Sequence, residues 1–157
     1  MHICTYEAQT QASKEALWQL WTQAKHWPTW DTDLASAELS GPFRQGVTGT
    51  LNYKDGTSRT FTVIKCEMLE SFVLQIPFVK GVDLIVKRDL KQNGTELKFQ
   101  QELSFTGAPF AKMMQKGKKE PITRATLKQM EVLIQLLEGQ YSPFKEGTGS
   151  GNPQTVR

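Results

Sequence analysis

Between Leu34 and Phe105 the chain alternates apolar and polar residues with a period of two, broken at turn-forming pairs. Successive side chains of a strand point to opposite faces, so this period marks strands with one buried face. Val47, Gly49, Leu51 and Tyr53 alternate with Thr48, Thr50 and Asn52, and Asp55-Gly56 then offers a hairpin turn. Phe61 and Val63 continue the pattern, followed by Phe72, Leu74, Ile76 and Phe78. After Lys80-Gly81 come Val82, Leu84, Val86, Arg88 and Leu90. Asn93-Gly94 is the strongest hairpin signal, because both residues tolerate positive φ, and Leu97, Phe99, Gln101, Leu103 and Phe105 share one face beyond it. Such a succession predicts an antiparallel meander, buried on one side and wet on the other.

Helical spacing flanks the meander. After a short segment compatible with a strand, His2 to Thr10, Ser13 can cap a helix and Glu15 sits in its positive first turn. Ala16, Leu17, Leu20 and Trp21 form its apolar stripe, widened by Trp18. Pro28 disfavours helix at the residue before it, so this helix ends by Trp27, and a second helical turn is expected around Pro28 to Asp31. Gly107-Ala108-Pro109 ends the sheet, and helix is predicted from there to Glu138, kinked or split at Gly117 and Pro121. Its second part sets Leu127, Met130, Leu133, Ile134 and Leu137 on one face, and Gly139 is a natural stop. A curved sheet needs its concave face covered, and this C-terminal helix is the segment long and apolar enough to cover it. The prediction is an α+β domain over residues 1–141. It has about seven strands around a long C-terminal helix, and two short helices between the first two strands. A flexible tail is expected over 142–157.

The length of 157 residues fits one domain with a real core. A net charge of +3, with basic residues scattered along most of the chain, gives no nucleic-acid signature. Cys4 and Cys66 are far apart and form no C-x-x-C pattern, which reads as two free thiols in a reducing compartment. The N-terminus lacks the order of a secretory signal, and no run approaches the ~18 apolar residues of a membrane span. The expectation is a cytoplasmic protein without stable membrane insertion, a monomer or a homodimer.

One local pattern carries a resemblance. It comprises Ala12-Ser13-Lys14-Glu15-Ala16-Leu17-Trp18, then Trp27-Pro28-Thr29-Trp30-Asp31, then Gly46 before an alternating strand. With the element order, it resembles the START-like or polyketide-cyclase-like (SRPBCC) superfamily of helix-grip proteins over about residues 3 to 140. The resemblance implies a ligand cavity between the concave face and the C-terminal helix, with the short second helix at its mouth. The superfamily includes lipid carriers, hormone receptors, cyclase and aromatase subunits, hydrolases and chaperone activators, so it is close to silent on function.

The inward row supplies candidate cavity walls: Leu51, Tyr53, Phe61, Phe72, Leu74 and Ile76, then Leu84, Val86, Phe99, Leu103 and Phe105. Each of these is equally at home in an ordinary core. Arg88 and Gln101 break the row at the same parity, on strands joined through Asn93-Gly94. Buried groups of this kind need partners, so either they hold a ligand's carboxylate or carbonyl, or they turn to solvent or pair with an acid such as Glu7. Tyr53 offers a hydroxyl to the same space, Trp30 is a candidate for the mouth, and Phe110, Met113 and Met114 for an adaptable gate. Met130 of the last helix completes the candidate set.

No H-E-x-x-H, G-x-S-x-G or G-x-x-x-x-G-K-[ST] motif occurs, and neither a metal nor a cofactor is expected. The favoured reading is a binding or carrier protein for a small hydrophobic or aromatic ligand. A cyclase, aromatase or dehydratase acting in the same cavity through Tyr53, Arg88 and Gln101 is the alternative. A third reading is a protein-interaction module like the chaperone activators. It would use Lys112, Lys116, Lys118, Lys119, Arg124 and Lys128, a cluster that reads first as a solvated helix face and otherwise suits an acidic partner or membrane headgroups.

Overall fold

The computed structural model describes residues 1–141; the glycine-rich segment expected to form a tail lies outside them. β1 (His2–Thr10) leads into α1 (Lys14–Thr22), a 3₁₀ turn and α2 (Trp27–Trp30). Six strands follow: β2 (Leu34–Leu39), β3 (Thr48–Tyr53), β4 (Ser58–Glu67), β5 (Ser71–Val79), β6 (Val82–Asn93) and β7 (Glu96–Gly107). The described chain closes with α3 (Pro109–Met114), a second 3₁₀ turn and α4 (Lys119–Tyr141).

The seven strands form one antiparallel sheet in the order β1-β7-β6-β5-β4-β3-β2. From β2 to β7 every strand pairs with its neighbour in sequence, as the hairpin signals predict, and glycines 56, 81 and 94 take positive φ at three of the turns. Register shifts between Val63 and Lys65 and between Pro77 and Val79 bend the central strands, giving the sheet its curve. The first strand crosses the domain to pair with the last, which defines the two rims of a trough.

Two groups of helices fill this trough from opposite ends. α1 begins at Ser13, whose Oγ accepts the Ala16 N–H at 3.1 Å. It buries Leu17, Leu20 and Trp21, and sets the Trp21 indole edge-on against Phe72 and Phe99. Two indole N–H groups tie α2 to the end of α1: Trp27 donates to the Trp21 carbonyl at 3.0 Å, and Trp30 to that of Leu20 at 2.9 Å.

α4 lies over the rest. Of the interruptions expected at Gly117 and Pro121, the break falls at Gly117, in the 3₁₀ turn Lys116–Lys118, so one predicted helix is two. Pro121 itself stands in the first turn of α4, where its missing N–H costs nothing. The inward stripe of α4 is Thr126, Met130, Leu133 and Leu137. Leu127, grouped with that stripe by its spacing, is 41% exposed. Thr126 is buried instead, and its hydroxyl, with that of Thr123, interacts with the Cys4 thiol of β1. Among the described residues no helix is long and apolar enough to cross a membrane.

Candidate functional site: a hollow beside a buried arginine

The register of β5, β6 and β7 lays the concave face out in rows. Phe72, Arg88 and Gln101 form one row, Leu74, Val86 and Leu103 the next, and Ile76, Leu84 and Phe105 a third. Trp21 packs the trough up to the first row. Beyond it the inner surface of α4 offers Ile122, Ala125, Thr126 and Gln129, and small side chains bridge the trough without filling it. A cavity of about 190 Å³ remains. Its far wall is Trp27, Trp30, Leu34 and Leu51, and its lining runs out to the exposed Asp33.

Arg88 stands where packed core gives way to hollow, and it is only 5% exposed. Its Nε donates to Gln101 Oε1 at 2.8 Å. The guanidinium carbon lies 5.0 Å from the Trp30 ring centroid and 5.6 Å from that of Phe72, both within cation–π range. The two terminal nitrogens have no protein acceptor among the described residues, and Arg88 makes no direct ion pair. Burial pulls its pKa down to about 10, with the charge of Asp31 acting in the opposite sense, so it remains a cation at neutral pH.

Asp31, at the C-terminal end of α2, contributes the nearest opposing charge. Its carboxylate accepts the Asp33 N–H at 3.3 Å and a side-chain hydrogen bond from Gln129 of α4. Burial raises its pKa above the usual carboxylate range; the Arg88 charge and these hydrogen bonds offset part of that rise. Tyr53 lines the same space, and burial, followed by the Asp31 charge, pushes its phenol up to about 12. Its hydroxyl is therefore a neutral donor, with no side-chain partner among the described residues.

Ten of the residues singled out in the sequence meet in this lining: Trp30, Leu51, Tyr53, Leu74, Ile76 and Leu84 with Val86, Arg88, Gln101 and Leu103. Trp30 faces Arg88 from inside, 3% exposed, and does not stand at a mouth. Phe61, Phe72, Phe99, Phe105 and Met130 lie outside the lining, Phe105 against the Phe78 ring. Phe61 packs on Trp27, Phe72 and Phe99 on Trp21, and Met130 faces the core further along α4. Phe110, Met113 and Met114 form no gate: they sit on α3, separated from α4 by the 3₁₀ turn, and point to solvent. Glu7 is exposed, one position out of register with the inward row, and is not the partner of Arg88. The sequence reading passed over Asp31, Asp33, Arg59, Ile122 and Gln129, which contribute to the site from three different elements and a loop. Asp31 closes the Trp27-Pro28-Thr29-Trp30-Asp31 motif; nothing local marks the others.

A curved sheet gripping a long helix over an internal hollow defines a class of protein by itself. No protein-family model matches the sequence, and no curated protein matches it. Solved structures do. DynU16, from the dynemicin biosynthetic locus, is 17% identical with a TM-score of 0.67, over 87% of this chain and 47% of that one. The chain thus spans about half the length of DynU16. Norcoclaurine synthase from Thalictrum flavum is 14% identical with a TM-score of 0.64, over 85% of this chain and 91% of that one. Major latex-like protein 151 from Panax ginseng is 11% identical with a TM-score of 0.64, over 85% and 97% respectively. The chain has the helix-grip fold of the START-like (SRPBCC) superfamily. Identities this low carry the fold and leave ligand and chemistry to the site.

Proposed function

We propose that this protein binds a compact aromatic or hydrophobic molecule bearing one carboxylate, with the acid on Arg88 and the apolar body against Leu74, Val86 and Leu103. One observation carries the reading: a buried cation beside an apolar hollow, with two nitrogens lacking acceptors among the described residues. Burying a charge without full compensation costs several kcal/mol, roughly, so a chain that keeps one gains something from its use. A planar guanidinium fork fits a carboxylate with two parallel hydrogen bonds. The rings of Trp30 and Phe72 supply weak, non-ionic contacts and leave the outward fork open.

The volume sets the size. An apolar cavity of ~150 Å³ holds benzene, so about 190 Å³ suits a substituted single ring and falls below the ~300–1,000 Å³ typical of drug-sized sites. The test is native mass spectrometry and calorimetric titration with a series of aromatic acids, each beside its neutral amide. We expect the acids to bind and the amides to bind at least about tenfold more weakly, the cost of losing one charge-assisted contact. The double variant Arg88→Met with Gln101→Leu removes charge and partner together, so it should fold with stability near that of the parent while losing the preference for acids. Equal affinity for acid and amide rejects the reading.

A second reading rests on Asp31 and Tyr53. Both are titratable groups in the cavity with displaced pKa values, a pairing frequent where protons are exchanged. Here Arg88 and Tyr53 would orient a substrate carbonyl and Asp31 would move a proton, as in a cyclase or dehydratase. Turnover of a bound acid on incubation, lost in Asp31→Asn but with binding retained, separates catalysis from carriage.

A further inference from the structure

The most apolar exposed surface lies outside the cavity, on α3. This helix has six residues, and its underside is Ala111, which lies over Gly81 of the β5–β6 turn. The Ala108 N–H donates to the Gly81 carbonyl at 3.1 Å, so the start of α3 is fixed to the sheet. Its other face carries Phe110, Met113 and Met114 at i, i+3 and i+4, exposed by 72, 63 and 67%. Val79, at the end of β5 and two residues before Gly81, is 41% exposed. Apolar side chains turned outward together on an anchored helix mark a surface that meets something else.

The charge around them indicates what. Lys112, Lys116, Lys118 and Lys119 lie within and after α3, residues 109–119 contain no acid, and Lys80 stands in the adjoining turn. The first acid beyond, Glu120, is taken up by Arg124. None of these cations is an arginine. Lysine ammonium groups on flexible stems match a diffuse field of negative charge better than one defined carboxylate. We propose that α3 docks this protein on an anionic phospholipid bilayer, with Phe110, Met113 and Met114 entering the headgroup boundary and the lysines meeting the headgroups. Val79 follows Phe78 and Lys119 precedes Ile122 by one turn, and both Phe78 and Ile122 line the cavity. Docking thus brings that end of the cavity to a surface where apolar molecules partition.

The full chain is sedimented with vesicles of phosphatidylcholine alone, or of phosphatidylcholine and phosphatidylserine in equal parts, at low and high salt. The expected result is co-sedimentation with the phosphatidylserine vesicles, reduced by salt, and little with the neutral ones. Phe110→Ser with Met114→Ser, and separately Lys116→Glu with Lys118→Glu, each weaken binding by at least about tenfold. These side chains are exposed, and unchanged thermal midpoints show that the variants are folded. In Phe110→Trp, emission shifts to the blue on adding the anionic vesicles and is quenched by brominated acyl chains. Absence of binding at low salt overturns the proposal, as does binding that survives both double variants. A dimer in sedimentation velocity that Phe110→Ser with Met114→Ser abolishes also overturns it, and assigns the face to a second copy of the chain.

Discussion

Arg88 and Asp31 share one hollow without touching as an ion pair, and each shifts the other's titration. Because burial raises the Asp31 carboxyl, the folded state holds that proton more tightly than the unfolded chain does. The stability linked to this group is therefore full below its unfolded value, near pH ~4, and is lost as pH rises through the higher folded value. A carboxylate ligand on Arg88 places a second negative charge beside Asp31 and raises it further. Affinity for an aromatic acid should then increase as pH falls from neutrality towards the carboxylate range, while the ligand stays ionised. Calorimetric titration across that interval checks it, and Asp31→Asn should flatten the dependence. A wild type with flat affinity would detach Asp31 from the site. At this scale the sequence reading caught Arg88 and Gln101 because a polar residue at an apolar parity is visible in one strand. It missed Gln129, whose link to Asp31 joins two elements about a hundred residues apart.

Elements followed their local signals where the signal was geometric. The capped start of α1, the Asp55-Gly56 and Asn93-Gly94 turns and the alternation of β3 to β7 needed no tertiary information. The end of the sheet is more demanding. Gly107 leaves β7 with φ at 134°, and a Cβ there would lie 2.0 Å from the Gly81 carbonyl oxygen that receives Ala108. Gly107→Ala must move either the backbone of the β5–β6 turn or the start of α3. We expect it to destabilise the fold by roughly 1–3 kcal/mol, read as a lower urea midpoint with unchanged slope. A midpoint like that of the parent would mean that the turn yields freely. The division of the C-terminal segment into α3 and α4 was only half legible. Gly117 and Pro121 announce a break, but whether the piece before it packs or stands out depends on the sheet it meets.

For the molecule as a whole, the cavity is the difference between two coverings of one trough. α1 brings Trp21 to one end, and α4 brings Ala125 and Thr126 to the other. Ala125→Leu projects a larger apolar side chain into the hollow from a helix that tolerates leucine well. It should raise stability by about 1 kcal/mol and remove ligand capacity together, measured by urea unfolding and native mass spectrometry. Stability lost with ligand capacity kept would show that the hollow is not where ligand sits. The sequence by itself determined the strands, their hairpin order, the starts of α1 and α3 and the architecture, because periodicity, turn residues and caps act over a few neighbouring positions. Only the tertiary structure decided which inward side chains line a hollow and which pack solid. The same parity places Phe72 against Trp21 and Val86 against empty space, and the outcome rests on the helix that arrives from far along the chain.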